Sequence, residues 1–244
     1  MARVHPPVSG AFWYLAGVDI GRRRAVIELA GIAIAAMGAS SSVQAQTRGA
    51  CVLTPEAGDG PFYLDPGLVR SDITSGKPGA PLALALQVVR AGDCATLGNA
   101  RVDVWQADGV GLYSGYAQQP GVGGVSPQTV VGKQDLRGTQ FTDVDGSVRF
   151  RTIFPSWYGG RTPHIHFKVF LGGNQVVASQ IFFPDEVNNE VFTKWDPYRE
   201  HVSKRTTFNN NDSIRQGVYS DVTRSGPSYS AKAVLVVAPR GSRG

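Results

Sequence analysis

A chain of 244 residues with 42% apolar and 18% charged side chains is long enough for one well-buried domain or two small ones, and one is expected. The formal net charge of +5 is mild, and four of the arginines behind it lie before residue 25. No sustained basic stripe is left for nucleic acid, which is excluded as an expected partner.

Residues 1–45 read as an export signal. Arg22, Arg23 and Arg24 precede an apolar stretch from Ala25 to Ala36, and small residues follow up to Ala45. The arginine cluster before Ala25-Val26-Ile27 suggests twin-arginine export, a route for proteins already folded around a cofactor, although Glu28 departs from that pattern. The alternative, an uncleaved anchor, is short for a span and contains that glutamate, so no stable membrane insertion is expected after cleavage. Cleavage after Ala45 leaves 199 residues, takes the charge from +5 to +3, and places the mature protein in the periplasm or outside the cell. Only Cys51 and Cys94 then remain as cysteines. In an exported protein an even pair reads first as a disulfide, the alternative being two buried thiols.

From Leu82 onward, period-two patterns mark half-buried strands: Leu82, Leu84, Leu86 and Val88; Val102 and Val104; Val148, Phe150 and Thr152; Val234 and Val236. Turn-rich pieces separate them, including Arg90-Ala91-Gly92-Asp93 and Asp143-Val144-Asp145-Gly146. The latter is a hairpin signal, because Asp-Gly tolerates positive φ. From Gly115 to Gly138 the chain is rich in Gly, Gln and Pro without a period, which reads as one long loop beside Tyr113 and Tyr116, placed to shape a site mouth. One short helix is expected from Pro184-Asp185-Glu186 to about Lys194, its acidic start suited to a helix N-terminus. The fold class that follows is all-β: a two-sheet β-sandwich with long loops and one short helix.

Histidine is scarce after the leader. Only His164, His166 and His201 remain, and two of them fall within Thr162-Pro163-His164-Ile165-His166-Phe167-Lys168-Val169. In a strand, residues i and i+2 share a face, so both imidazoles project one way while Ile165, Phe167 and Val169 face the core. One ion could take both rings, but by itself His-x-His is a weak motif, and many such pairs are strand histidines in ordinary hydrogen bonds. Two imidazoles rarely complete a metal site. The cysteines are committed elsewhere, and no further histidine and glutamate stand nearby at cupin-like spacing. Tyrosine remains as a donor type, since a trivalent ion can hold phenolate deprotonated well below its free pKa of about 10.

At this point the chain resembles the intradiol ring-cleavage dioxygenases. Cys51-Val52-Leu53-Thr54-Pro55-Glu56 and Gly60-Pro61-Phe62-Tyr63 are similar to that family's N-terminal arm, here residues 46–80. Asn99 to Asp108 is similar to its strand leading into the site. Arg137 to Asp143, Phe150 to Pro155, Trp157-Tyr158 and Gly160 to His166 match further spaced pieces. The catalytic β-sandwich would then occupy residues 81–244.

The resemblance implies one Fe(III) per chain held by Tyr113, Tyr158, His164 and His166. It also implies Tyr158 as the ligand that leaves when substrate chelates, and Arg161 beside the substrate to stabilise negative charge on the ring carbon that oxygen attacks. Gln180 resembles the family's glutamine that stands just behind the residues around the metal. The implied partners are a small aromatic diol and O2, with cleavage between the two hydroxyl-bearing carbons to a muconate-type dicarboxylic acid. The chain lacks an obvious helical N-terminal domain, so it is similar to the compact members, and a homo-oligomer is compatible with it. Alternatives stay open at single positions: Tyr116 in place of Tyr113, Arg161 paired with a surface carboxylate, and His201 as a solvated surface residue. Trp105, Trp157 and Phe182 read as core or pocket wall. At the level of the whole protein the rivals are a non-catalytic transthyretin-like or carbohydrate-binding sandwich, and a copper or zinc site on His164 and His166.

Overall fold

The structure is a computed structural model, and it describes residues 51–65, 67–119, 121–122 and 124–238. The expected export signal lies outside the described residues. Among the described residues no helix is long and apolar enough to cross a membrane.

The described residues form nine strands in two sheets and one α-helix. Strand β1 (Pro81–Arg90) alternates as its sequence dictates: Leu82, Leu84, Leu86 and Val88 are buried, while Pro81, Ala83 and Arg90 are exposed. It pairs antiparallel with β4 (Ser147–Ile153) and parallel with β9 (Ser228–Val237), and β8 (Asp221–Ser225) closes a four-stranded sheet in the order β4-β1-β9-β8. The second sheet runs β3-β2-β5-β6-β7, from β3 (Arg137–Phe141), β2 (Arg101–Gln106), β5 (His164–Leu171), β6 (Asn174–Phe182) and β7 (Val218–Tyr219). One apolar core joins the inner faces: Leu84, Leu86, Phe150 and Leu235 from the first sheet meet Val104, Ile165, Phe167 and Ile181 from the second. Each such side chain contributes about 1.5–3 kcal/mol on burial, which fixes the strand registers because a one-residue slip would expose all of them.

Helix α1 (Asp185–Lys194) runs over the expected residues, with Asp185 and Glu186 in its first turn and Lys194 in its last. It buries Val191 and Phe192, and the amide of buried Asn188 donates to the Phe183 carbonyl at 3.2 Å.

Three expectations are corrected. The Asp143–Gly146 turn forms, with Gly146 at φ 72° and its N–H donating to the Asp143 carbonyl at 2.9 Å, but it does not close a hairpin. It carries the chain from β3 in one sheet to β4 in the other, because Asp-Gly specifies a turn and not the sheet that the next strand joins. In β9 the buried set is Tyr229, Ala231, Ala233, Leu235 and Val237, so Val234, 48% exposed, and Val236 lie on the outer face, opposite to the reading from the valines. Val236 is partly covered there by the arm, where it exchanges hydrogen bonds with Thr54. The long loop ends at Leu136 rather than Gly138 and contains a 3-10 turn at Pro127–Val130 started by Pro127.

Cys51 and Cys94 form the expected disulfide, which spans 43 positions and ties the arm to the turn after β1. Closing a loop of this length stabilises by about 2–4 kcal/mol through the unfolded chain. Cys51→Ser and Cys94→Ser should each lower the melting temperature by roughly 5–15 °C in scanning calorimetry, with the double variant no lower than either single one.

Candidate functional site

Strand β5 lies between β2 and β6, and its alternation sends His164, His166 and Lys168 away from the sandwich core. That face is not solvent: the three are 1%, 0% and 4% exposed, because the loop after β2, the segment after β4 and the N-terminal arm cover it. In the sheet His166 stands opposite both Trp105 on β2 and Gln180 on β6. The Trp105 indole accordingly stacks on the His166 ring, centroids 4.9 Å apart and 8° from parallel.

The ring nitrogens are oriented. His164 Nδ1 lies 2.7 Å from the Thr162 carbonyl, so it carries the proton and leaves a lone pair on Nε2. That Nε2 lies 3.0 Å from His166 Nε2, while His166 Nδ1 is buried without a hydrogen-bond partner among the described residues. Gly60 sits against His166: a Cβ there would fall 2.9 Å from Cε1, and the backbone at φ +66° lies in the left-handed region that favours glycine.

Tyr113 is placed by the loop that follows β2. The Asp108 carboxylate accepts from the N–H groups of Val110 and Leu112, both at 3.0 Å, which turns the chain. Gln119 then clamps the tyrosine backbone, accepting from Tyr113 N–H at 2.6 Å and donating to the Tyr113 and Tyr116 carbonyls at 2.7 Å each. The Tyr113 ring stacks on Phe62 of the arm at 4.6 Å. Its hydroxyl is buried and has no partner among the described residues. Tyr116 differs, since its hydroxyl donates to the Tyr63 carbonyl at 2.7 Å, so the Tyr113 phenol is the free one.

Tyr158 is the partly exposed member. Its ring lies 5.7 Å from those of Tyr113 and His164, Tyr113 lies 5.9 Å from His166, and the two imidazoles are 4.6 Å apart, so four rings close around one point. The Tyr158 oxygen accepts from Arg161 Nη1 at 3.1 Å. Arg161 also donates from Nη2 to Gln180 Oε1 at 2.6 Å and from Nε to Asp212 at 2.9 and 3.2 Å. The structure thus brings Tyr113, Tyr158, Arg161, His164, His166 and Gln180 together. Arg161 does meet a carboxylate, but a buried one.

His201 is corrected: it is 2% exposed, with its ring 5.1 Å from Trp157 and Nε2 unpartnered among the described residues. The charged neighbours Arg199 and Glu200 suggested a surface position, yet successive 3-10 turns fold the ring inward. Trp157 belongs to the core, and Phe182 is a wall beside His164 at 5.8 Å.

Burial sets the protonation of the cluster. Desolvation, with help from the Arg161 charge, pushes His164 down to about 3, and burial with the neighbouring His164 puts His166 well below the usual histidine range. Burial raises Tyr158, and raises Tyr113 well above the ordinary phenol, while Arg161 opposes both shifts. Near neutral pH the protein alone therefore presents two neutral imidazoles and two protonated phenols.

This donor set fits a cation of high charge. Two imidazole nitrogens about 2.1 Å from one ion at near right angles stand about 3.0 Å apart, the separation found here. The orphaned Tyr113 hydroxyl would gain its missing partner. Among the described residues no cluster of three or more His, Cys, Asp or Glu side chains could hold an ion. Among the described residues a copper or zinc site on His164 and His166 therefore has no third ligand of these types, and the protein donors grouped with the two imidazoles are the phenols.

Several residues shape the site without having been given a role in it from the sequence: Gln119 and Asp212, and also Gly60, Phe62 and Arg137, which lie in stretches that carry the family resemblance. Arg137 is buried and donates to the Phe62 carbonyl at 2.7 Å and to the Ser114 carbonyl at 2.8 Å, joining the arm to the Tyr113 loop. Its place at the head of the Arg137 to Asp143 stretch, which carries the family resemblance, was its signal in the sequence.

Fold and cluster define a β-sandwich protein with a buried centre of two phenols and two imidazoles. A family model described as "Dioxygenase" matches residues 59–205. An intradiol ring-cleavage dioxygenase from Tetranychus urticae, of known structure, is 30% identical, with a TM-score of 0.68 over 78% of this chain and 96% of that one. A second solved dioxygenase is 32% identical, with a TM-score of 0.69 over the same shares. The catechol 1,2-dioxygenase of Acinetobacter baylyi is 28% identical over 151 residues, 52% of this chain and 45% of that protein, so the match spans less than half the length of this relative. The chain belongs to the intradiol ring-cleavage dioxygenase family.

Proposed function

We propose that this protein cleaves a catechol-type ring between its two hydroxyl-bearing carbons with O2, holding one ferric ion per chain through Tyr113, Tyr158, His164 and His166. The observation that carries the reading is the closed set of four rings together with a buried Tyr113 hydroxyl that has no hydrogen-bond partner among the described residues. Bound there, ferric iron would supply Lewis acidity and a template for diol and oxygen, with no nicotinamide or flavin. Both atoms of O2 enter the product, a muconate-type dicarboxylic acid, so the reaction balances without an external reductant.

The residues divide the remaining work. Tyr113, stacked on Phe62 and clamped by Gln119, stays fixed. Tyr158, partly exposed and held at its oxygen by one donor from Arg161, would be a phenolate with the ion bound and, on swinging away, could take one of the two diol protons, the other leaving to solvent. Arg161 then has that donor available for charge developing on the ring. Phe62, Trp105 and Phe182 exclude water from the diol. Residues 1–45 are proposed as an export signal, which would place the reaction outside the cytoplasm.

The test combines iron analysis, visible absorption and oxygen uptake with catechol, protocatechuate, hydroxyquinol and chlorocatechols. The reading expects about one iron per chain, a burgundy to brown colour from phenolate charge transfer, and uptake with at least one diol. A colourless protein that ferric salt cannot reconstitute and that consumes no oxygen would sink it.

A further inference from the structure

Asp212 lies beyond the segment matched by the family model, 51 positions from Arg161, yet its carboxylate is completely buried at the edge of the site. Every bond it accepts leads to the segment that builds the centre or to its own turn. Oδ1 and Oδ2 take Arg161 Nε at 3.2 and 2.9 Å, Oδ2 also takes the Thr162 N–H at 3.0 Å, and Oδ1 takes the Ile214 N–H at 3.2 Å. Two consequences follow. With Nε fixed, the planar guanidinium can present only its two Nη groups, and these reach Tyr158 and Gln180. With the Thr162 N–H fixed, its carbonyl is held where it receives His164 Nδ1. Asn209 supports the same turn, accepting from Thr162 Oγ1 at 3.0 Å and donating to the Phe183 carbonyl at 2.8 Å.

We infer that Asp212 is a positioning residue for the reaction: it sets the plane of the Arg161 guanidinium so that one Nη donor faces Tyr158 and becomes available to the substrate when that tyrosine moves. The inference rests on the proposed dioxygenase function for its kinetic consequence, and on geometry alone for its structural one. In this role Asp212 acts through Arg161 and not directly on the substrate.

Asp212→Asn keeps the volume and removes the charge. In the full chain, freed of metal by chelation, the Arg161 Nε–H proton resonance is expected to be sharp and slow to exchange, and Asp212→Asn to speed that exchange at least tenfold. In the iron-loaded enzyme the same variant should lose about 100-fold in kcat with KM within about threefold, because a small misplacement of a charge-stabilising group costs the transition state and not binding. Combining it with Arg161→Lys should cost less than threefold beyond Arg161→Lys alone, since both changes disable one device. Asp212→Glu, which keeps the charge and displaces it by one methylene, secures the test if the asparagine variant does not fold. It should melt near the wild type and still lose at least tenfold in kcat.

Unchanged Nε–H exchange, wild-type kcat at full iron occupancy, or losses that multiply in the double variant would each overturn the assignment. A wild-type protein that binds no iron and consumes no oxygen defeats the functional reading instead, and the exchange measurement still decides on Asp212.

Discussion

Tyr113→Phe is expected to lose iron and oxygen uptake by at least 100-fold while the metal-free protein melts no lower than the wild type. The two halves of this result have one cause. The Tyr113 hydroxyl is fully buried with no hydrogen-bond partner among the described residues, a state that costs about 1–3 kcal/mol in the absence of a ligand. Phenylalanine keeps the ring that stacks on Phe62 at 4.6 Å and removes only the atom that pays this penalty. A tyrosine serving the fold would show the opposite, a lower melting temperature with iron retained. Iron analysis, visible absorption and calorimetry of the metal-free protein separate the cases.

Arg161→Lys is expected to reduce kcat/KM by about 10²–10³-fold with iron content kept. Arginine here makes three separate engagements from one rigid plane: Asp212 through Nε, Tyr158 through Nη1 and Gln180 through Nη2. A lysine ammonium keeps the charge for Asp212 but cannot span all three. The loss of one charge-stabilising donor has the stated size. None of the four rings is removed, so metal binding should persist. Steady-state oxygen consumption on a variant of measured iron content checks it, and a wild-type kcat/KM would refute the role.

The sequence made visible what depends on neighbours along the chain. Period-two spacing exposed β1, β2 and β4, Pro184-Asp185-Glu186 exposed the start of α1, and His164-Ile165-His166 exposed a pair of imidazoles on one strand face. Phenols could be argued for as a ligand type, but Tyr113 and Tyr158 were singled out only by family resemblance. What stayed hidden depends on contacts across the fold. Nothing near Asp143-Val144-Asp145-Gly146 says that β4 joins the opposite sheet, since that is decided by its pairing with the distant strand β1. Val234 and Val236 share one spacing in β9, yet Tyr229, Ala231, Ala233, Leu235 and Val237 take the inner face, because the alternation of the whole strand and not one pair of valines decides which side joins the core. Asp212, Phe62 and Arg137 come to the site from distant segments, and no periodicity marks a residue whose partner is 51 or 75 positions away. His201 was misplaced for the same reason: its charged neighbours are local, whereas Trp157, which buries it, is not.

Strand β5 separates two tasks by odd and even position. Ile165, Phe167 and Val169 belong wholly to the sandwich interior, and His164, His166 and Lys168 wholly to the opposite face. Robustness and chemistry can therefore drift independently along the same eight residues. An engineer could repack 165, 167 and 169 together with Val104 and Ile181 to make the scaffold tougher and leave the imidazoles untouched. A single inserted or deleted residue in this strand, by contrast, would exchange the two sets and destroy both at once.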